Sequence, residues 1–528
     1  MQEDTKLRTE DDLILAIDVG TQNIKAAVFD THGTMHAIAR LPQDPDSAPY
    51  PGWVEHDALR YWEKTCEAVR EALLALGGGV KRLRAVGLTT LRGTTIPMDM
   101  DGRPLRPAIV YLDNRVNEEI SSIRGLWKLF FWAIGRAAAI EYVRRHSRFL
   151  WIKQHEPHIY AHTYKFMQVA SFLNYRLTGQ INETIAMMVG MFPFDIKNLR
   201  FYPQKAIHEI FGVSPQQLPE LKPPLSIVGN ITPEAAKKTM IPQGLPVVVS
   251  GGDAQSAAIG MGATDEECAA LVLGTAVVCQ LSSKRYVVDK RNRFFPWPAA
   301  MPGKYTLEAG VSGGLITVTW FAKELAHYET QLGKESGKSP EQILDDAIRT
   351  IPPGSLGLIV HPYWTPSIHH EAARGSILGL TMAHSRAHIY RAILEGIAYE
   401  IRTGLEAIQE KAGIMLKEIH VSGGGSQSDM VLSILADVFQ IPTIRMRVSE
   451  TTALGAAICA ACGIGLFPSL KEGIDCMVHP DKRFDPNPEN MGVYTTLYRC
   501  YQEVYPRIAE FYRRTEHIAS PVGTDKPH

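Results

Sequence analysis

Cysteine is scarce in this chain, 7 in 528 residues, and the seven follow no regular spacing. That excludes a disulfide framework and fits a reducing compartment. An excess of one charge is also missing. The 55 basic residues face 56 acidic ones, for a formal net charge of -1, so bulk electrostatics draws neither nucleic acid nor a membrane surface. No apolar run approaches the roughly 18 residues of a membrane span. The stretch from Trp127 to Ile134 is too short and Lys128 interrupts it, so it reads as a buried helix. The opening MQEDTKLRTEDD is polar and acidic, unlike a signal peptide. A cytoplasmic protein is expected, with no nucleic-acid and no membrane partner.

What is present is ordinary globular composition in a chain longer than one core usually fills, so two large α/β domains are expected. Leu13 to Ile17 and Ala26 to Phe29 are apolar runs of strand length around a glycine turn. Asp57 is a good N-cap for a helix whose buried face carries Leu59, Trp62, Cys66, Val69, Leu73 and Leu76. Leu83 to Thr89 reads as a strand, and residues 118 to 240 are mostly helical in pattern. Pro246 to Ser250 is a buried strand ending in the turn Gly251-Gly252-Asp253. Ala269 to Leu273, a Gly274-Thr275 turn and Val277 to Leu281 repeat the opening hairpin, so an internal duplication is one reading and a chance likeness of two hairpins the other. A helix over Ile389 to Ile401 is capped by Ser385, and Ser428 caps one from Asp429 to Phe439.

Several constellations could carry chemistry. Asp18, Thr21, Gln22, Asn23 and Lys25 crowd the first hairpin tip, where an acid, hydroxyl and amide side chains and a lysine suit a metal-bound polyphosphate; a solvated turn has the same composition. Asp253 follows a buried strand, at the sheet edge where ligands of open α/β sheets bind, and could be a general base, a metal ligand or a turn residue. VSGGGSQSD, from Val421, is strand, glycine loop and helix start, without the G-x-G-x-x-G or GK[ST] spacing. Arg92 stands in a polar loop between strands. Cys459 and Cys462, in an Ala-rich helix, read as packing, and His361, His369 and His370 lack a carboxylate pattern for a metal.

In this order the segments resemble the FGGY carbohydrate kinases of the actin-like and Hsp70-like ATPase superfamily, over roughly residues 13 to 466. The marks include IDVGTQNIKAAVFD, GWVEHDALRYW, VGLTTLRGTTIPMDMDGRPLRPAIVYLDNR, VVVSGGDAQSAAIG, LVLGTAVV, VSGGGSQSD and ETTALGAAICA. The resemblance implies two RNase H-like domains flanking a deep cleft: a sugar-binding one over 12–262, a nucleotide-binding one over 268–466, and a helical tail over 467–528. It implies ATP and Mg2+ as cofactors, a small sugar or polyol as partner substrate, and a homodimer as an admissible assembly. Asp253 falls on the catalytic base and Asp18 on the magnesium-linked acid. Thr21, Gln22 and Lys25 fall on the first phosphate hairpin, Gly274 and Thr275 on the second. Gly423, Gly424, Gly425 and Ser426 fall on the adenosine loop. Arg92, Gly93, Tyr111 and Asp113, with Asp253, fall on the sugar site.

The chain also departs from the family. Arg148 stands in SRFLW where lysine is usual, and bulky Met187 and Met188 stand where a small polar run is common. Glycerol kinases resemble each other in an Arg-Glu pair where this chain has Arg92-Gly93, and xylulokinases usually carry Met-His-Gly there. A pentulose kinase is the reading the resemblance implies. The alternatives are a kinase of a linear quorum-signal dione, a glycerol kinase-like enzyme, an ATPase with a protein partner, and a non-catalytic regulator.

Overall fold

The computed structural model describes residues 12–44, 46–50, 52–117, 137–365 and 373–519. The expected helix at Trp127 to Ile134, and His369 and His370, lie outside the described residues. The chain divides into two compact units, neither continuous: Met1–Gly260 with Trp297–Tyr305 and Thr451–Val478, and Met261–Pro296 with Thr306–Glu450 and His479–His528.

The first unit is built on β1 (Leu13–Val19), every residue of which is buried. β1 pairs antiparallel with β2 (Asn23–Asp30), which pairs antiparallel with β3 (Met35–Pro42). On its other side β1 runs parallel to β4 (Leu83–Thr90). An edge strand β5 (Ile227–Asn230) is antiparallel to β6 (Pro246–Gly252), which is parallel to β4. The order is β5-β6-β4-β1-β2-β3. Central parallel strands are covered on both faces, hence their continuous apolar runs.

One face takes α1 (Ala58–Leu76), whose first turn is capped where Asp57 accepts from the Leu59 amide at 2.9 Å. Trp62, Cys66, Val69 and Leu73 join the core of Leu13, Leu15 and Ile17, as expected. Leu59 does not, being 40% exposed. The small buried residues Ala58, Thr65, Ala68 and Ala72 pull the stripe toward themselves, and Leu59 lies ~100° round the helix from Ala58.

The other face takes α2 (Asp253–Gly260) and, from far along the chain, α6 (Thr451–Gly463). A Cβ on Gly455 would lie 1.8 Å from the Ser256 carbonyl oxygen, and one on Gly260 1.9 Å from that of Thr451. The two helices therefore meet backbone to backbone.

The second unit repeats the plan. Hairpin β7 (Cys268–Leu273) and β8 (Val277–Ser283) is antiparallel; β7 is parallel to β11 (Glu418–Ser422) and β11 to β12 (Thr443–Met446). With β9 (Phe295–Pro298), β10 (Tyr305–Val311) and β13 (Pro480–Phe484) the order is β9-β10-β8-β7-β11-β12-β13. With the edge strands β5, β9 and β13 set aside, the first sheet runs β3-β2-β1-β4-β6 and the second β10-β8-β7-β11-β12, the same arrangement around the hairpin, and β5 and β13 are each antiparallel to their neighbour. The shared topology favours duplication over a chance likeness.

Helices α3 (Gly314–Leu325), α4 (Arg386–Ala412) and α5 (Asp429–Phe439) complete this unit with α7 (Met491–Ala519). Ser385 caps α4, which runs well past the expected Ile401. Tyrosines of α7 dock onto glutamates of α4: the Tyr494, Tyr498 and Tyr501 hydroxyls donate to Glu395, Glu406 and Glu400 at 2.9, 2.9 and 2.6 Å. All seven cysteines are free, Cys459 being wholly buried as a packing residue.

Gly455→Ala should destabilise the first unit by about 1–3 kcal/mol, the cost of forcing atoms into a packed contact that only backbone movement relieves. Thermal melting checks this; a midpoint unchanged from wild type would contradict the backbone contact.

Candidate active site

Three segments of the first unit bring expected site residues together. The first is the β1–β2 tip, Gly20-Thr21-Gln22, closed by the Gly20 amide donating to the Asn23 carbonyl at 3.0 Å. Asp18 and Lys25 are cross-strand partners, with Nζ 3.8 Å from Oδ2, and Asp18 is only 4% exposed. The second is Tyr111, whose hydroxyl lies 3.1 Å from Thr21 Oγ1. Desolvation raises the Tyr111 phenol above its ordinary range; the Thr21 hydrogen bond offsets part of this and the Asp253 carboxylate adds to it.

The third segment is the end of β6. Here the structure corrects the expected turn at Asp253. The strand runs on through Gly252, and Asp253 is the first residue of α2. The Gln255 side chain makes the difference. Its Oε1 accepts from the Gly252 amide at 2.9 Å, and its Nε2 donates to the Pro298 carbonyl. A helix N-terminus favours a negative charge at Asp253, whose Oδ1 accepts from the Ala254 amide at 2.8 Å. Beneath it, Ser250, Ser256 and Thr89 hydroxyls are chained at 2.7 and 2.9 Å, and Thr89 donates to the Gly251 carbonyl at 3.0 Å. The Arg92 side chain passes directly over Gly252: a Cβ there would be 2.5 Å from Arg92 Cδ. Gly93 has φ +78°, and a Cβ on it would touch Tyr111 Cβ at 3.5 Å.

Asp113 sits apart from this group. Its side chain is wholly buried and both oxygens are taken by Arg115, each at 2.7 Å, while Oδ2 also accepts from the Val54 amide at 2.6 Å. Arg115 reaches Glu55 at 2.7 Å and lies over Trp53 and Trp151, 4.0 and 4.6 Å from the ring centroids. The family-like segments GWVEHD, YLDNR and SRFLW thus meet in one buried ion and aromatic cluster. Sequence reasoning missed Glu55, Arg115 and Trp151; their signal was the tryptophans recurring beside charged residues. Arg148 of the same cluster is buried, its guanidinium lowered to about 10 by desolvation against the pull of Asp113, and it donates to the Gly93 carbonyl. Met187 and Met188, the bulky departures, are wholly buried in the first unit's core.

In the second unit the β7–β8 tip is Gly274-Thr275-Ala276, matching Gly20-Thr21 in position. Its Gly274 and Thr275 carbonyls accept from Leu315 and Ile316 at 3.3 and 3.1 Å, which ties the tip to the first turn of α3. After β11, Gly423 takes φ +88°, and a Cβ there would be 2.5 Å from the Leu273 carbonyl oxygen. Gly424 faces open space. Gly425 packs on Leu315 and Leu273, and Ser426 Oγ donates back to the Gly423 carbonyl at 2.7 Å. Ser428 caps α5 as expected, accepting from Val431 at 3.2 Å. Among the described residues one mixed cluster of metal-type side chains occurs, Cys268, Glu418 and His420, away from the glycine loop's turn. His420 there spans the Met261 carbonyl and Glu418 at 2.6 and 3.0 Å.

Comparison with known proteins bears on the family and the fold. The profile of the FGGY family of carbohydrate kinases, N-terminal domain, matches residues 13–260, and that of the C-terminal domain residues 269–464. An uncharacterised sugar kinase of Escherichia coli K12, YgcE, is 27% identical over 92% of this chain and 91% of its own length. The xylulose kinase of Lactococcus lactis is 26% identical over 94% of this chain and 97% of its own. The crystal structure of gluconate kinase from Lactobacillus acidophilus superposes with a TM-score of 0.81 at 24% identity, covering 95% of this chain and 99% of that one. No helix among the described residues is long and apolar enough to cross a membrane.

Glu183, wholly buried under the start of the helix Val169–Thr178, gives a pH test of packing in the first unit. Burial pushes its carboxyl up to about 8, although the Thr184 and Ser171 amides donate to it at 3.0 and 3.2 Å. The fold therefore favours the protonated form. Its stabilising contribution is complete below the ordinary value of 4.5 and is lost as pH rises toward about 8. Glu183→Gln is neutral at every pH, so its melting temperature should gain on wild type between about pH 5 and pH 8.5. A difference that stays flat across that range would contradict the burial argument.

Proposed function

The chain belongs to the FGGY family of carbohydrate kinases, ATP-dependent phosphotransferases with an alcohol acceptor, and we propose that it phosphorylates a hydroxyl of a small ketose or polyol, a pentulose before glycerol. The observation that carries this is the group formed by Arg92, Gly93, Tyr111 and Asp253. Gly93 has no side chain where glycerol kinases place an acid, and Asp113 is spent on Arg115. In this reading a longer hydroxylated chain spans Arg92 and Tyr111 while its terminal hydroxyl meets Asp253, and a short triol does not. Buried polar groups left unpaired discriminate strongly between substrates; spare apolar volume discriminates weakly.

In this reading Asp253 takes the proton of the attacking hydroxyl. Helix α2, the Gln255 bracket and the hydroxyl chain under Ser250 hold it in place. Phosphoryl transfer asks the protein mainly for alignment and charge neutralisation. The two Gly-Thr tips would hold phosphate oxygens, Thr21, Gln22 and Lys25 on one and Gly274 and Thr275 on the other. The loop Gly423–Ser426 would hold the adenosine. Asp18 would hold Mg2+: a single buried carboxylate oxygen donor suits an ion that keeps most of its waters and is otherwise bound by phosphate. The bound ion would neutralise charge on the transferred group.

The test is a coupled ATP-to-ADP assay with xylulose, ribulose, a linear dione, erythritol, gluconate and glycerol. A pentulose should show the highest kcat/KM. Glycerol ranking first would overturn the argument from Gly93, the dione ranking first would place the chain in the quorum-signal branch, and no turnover would leave a regulator. Asp253→Asn should fold and lose ~10²–10⁴-fold in turnover. Activity within about threefold of wild type, a barrier change of roughly 0.6 kcal/mol, would remove Asp253 from the base role.

Gly424→Val separates nucleotide from acceptor binding. Open space surrounds Gly424, so the protein itself tolerates the larger residue and only a ligand meets it. Calorimetry should show ADP affinity reduced roughly tenfold or more with acceptor affinity unchanged. The reverse pattern would move the adenosine site elsewhere.

A further inference from the structure

Gly93 is held from both sides by buried side chains outside the group that faces the acceptor. Its amide donates to Gln168 Oε1 at 2.8 Å, and its carbonyl accepts from Arg148 Nη1. Gln168 is 1% exposed and Arg148 7%. The other end of the Gln168 amide donates to the Met187 carbonyl at 3.1 Å, and its backbone amide donates to Ser171 Oγ at 3.0 Å. One residue therefore joins the Arg92-Gly93 turn and the segment around Met187 through its side chain, and the start of the helix Val169–Thr178 through its backbone amide. Val189, two residues beyond Met187, stands 3.9 Å from where a Gly93 Cβ would be.

The peptide so held is left-handed at φ +78°, and with no side chain of its own it has little else to fix it. Arg92, the residue before it, runs over Gly252 next to Asp253. A rotation of the Gly93 peptide would swing the Arg92 donors and shift the backbone against Tyr111. Loss of either bond would also strand a polar group in a dry interior, which the turn would relieve by moving.

We propose that Gln168 and Arg148 are positioning residues that set acceptor specificity by clamping the Gly93 peptide and so aiming Arg92. Neither touches the acceptor. The inference rests on the reading of Arg92 and Asp253 as the acceptor site. Arginine suits this post better than lysine, because its planar fork can bond the Gly93 carbonyl and still lie within the charged cluster of Asp113 and Arg115.

The test compares Gln168→Leu, Gln168→Glu, Arg148→Met, Arg148→Lys and Arg92→Ala with wild type. The readouts are KM for ATP, KM and kcat for each acceptor of the panel, and the melting temperature. Gln168→Leu and Arg148→Met should raise the KM of the preferred acceptor by roughly 5- to 20-fold, the scale of a lost buried hydrogen bond, and compress the ranking between acceptors. ATP KM should stay within about twofold, and Gln168→Glu, which keeps the acceptor atom for the Gly93 amide, should recover most of the ranking. If Leu or Met at these posts prevents folding, Arg148→Lys, which loses the planar fork, carries the same test on a smaller scale. An unchanged acceptor ranking in folded Gln168→Leu, Arg148→Met or Arg148→Lys overturns the clamp, as does a parallel rise of acceptor and ATP KM. Arg92→Ala separates this from the reading beneath it: a normal acceptor KM there, or no turnover by wild type, overturns the acceptor site itself.

Discussion

The parallel strands at the middle of the first sheet are buried on both faces, and the rest of that unit answers to this demand. Helix α1 covers one face from nearby in sequence. The second face is covered by α2 and by α6, which arrives only after the chain has built the other unit. With no side chain between them at Gly260 and Gly455, the two helices touch through their backbones. Asp253 is the first residue of one of them. The same packing that seals the sheet therefore sets the position and direction of the carboxylate proposed as the base.

The two sheets share the order of their five core strands, and each carries a three-residue tip beginning Gly-Thr between its first two strands. The copies then diverge by what surrounds the tip. In the first, Thr21 meets the Tyr111 hydroxyl and Lys25 faces Asp18. In the second, the tip carbonyls are occupied by amides of α3 and the neighbouring loop is the glycine turn at Gly423. One hairpin design thus sits beside an acid and a phenol in the first unit and beside backbone groups in the second.

Buried charge in the first unit is concentrated where three separated segments meet. Arg115 pairs with both Glu55 and Asp113 beside Trp53 and Trp151, and Arg148 lies close enough to feel the charge of Asp113 while bonding the Gly93 carbonyl. Such a cluster adds little net stability for its desolvation cost, but removing one member would leave the others uncompensated. Through Arg148 it also reaches the Gly93 carbonyl. Asp113 shows how a plausible ligand residue is lost this way. An acid two places before an arginine looks available in the sequence; the fold turns the arginine back onto it.

The sequence by itself determined the strands, the caps at Asp57, Ser385 and Ser428, the glycine loop and the repeated hairpin, because each rests on residues within one turn or one strand of each other. Asp18, Thr21, Lys25 and Asp253 read locally as turn residues or as ligands alike, and only the order of many segments together suggested a kinase role for them. The tertiary structure alone decided what depends on distant partners. Nothing near Asp253 says that Gln255 and Pro298 will extend its strand into a helix start, nothing near Met187 says that its side chain is core while its carbonyl holds Gln168, and nothing in an alanine-rich helix at Thr451 says which sheet it covers. Gln168 carries no motif at all. Its role comes from two hydrogen bonds to backbone groups 75 and 19 residues away, and a backbone group leaves no mark in the sequence that a side chain could be matched against.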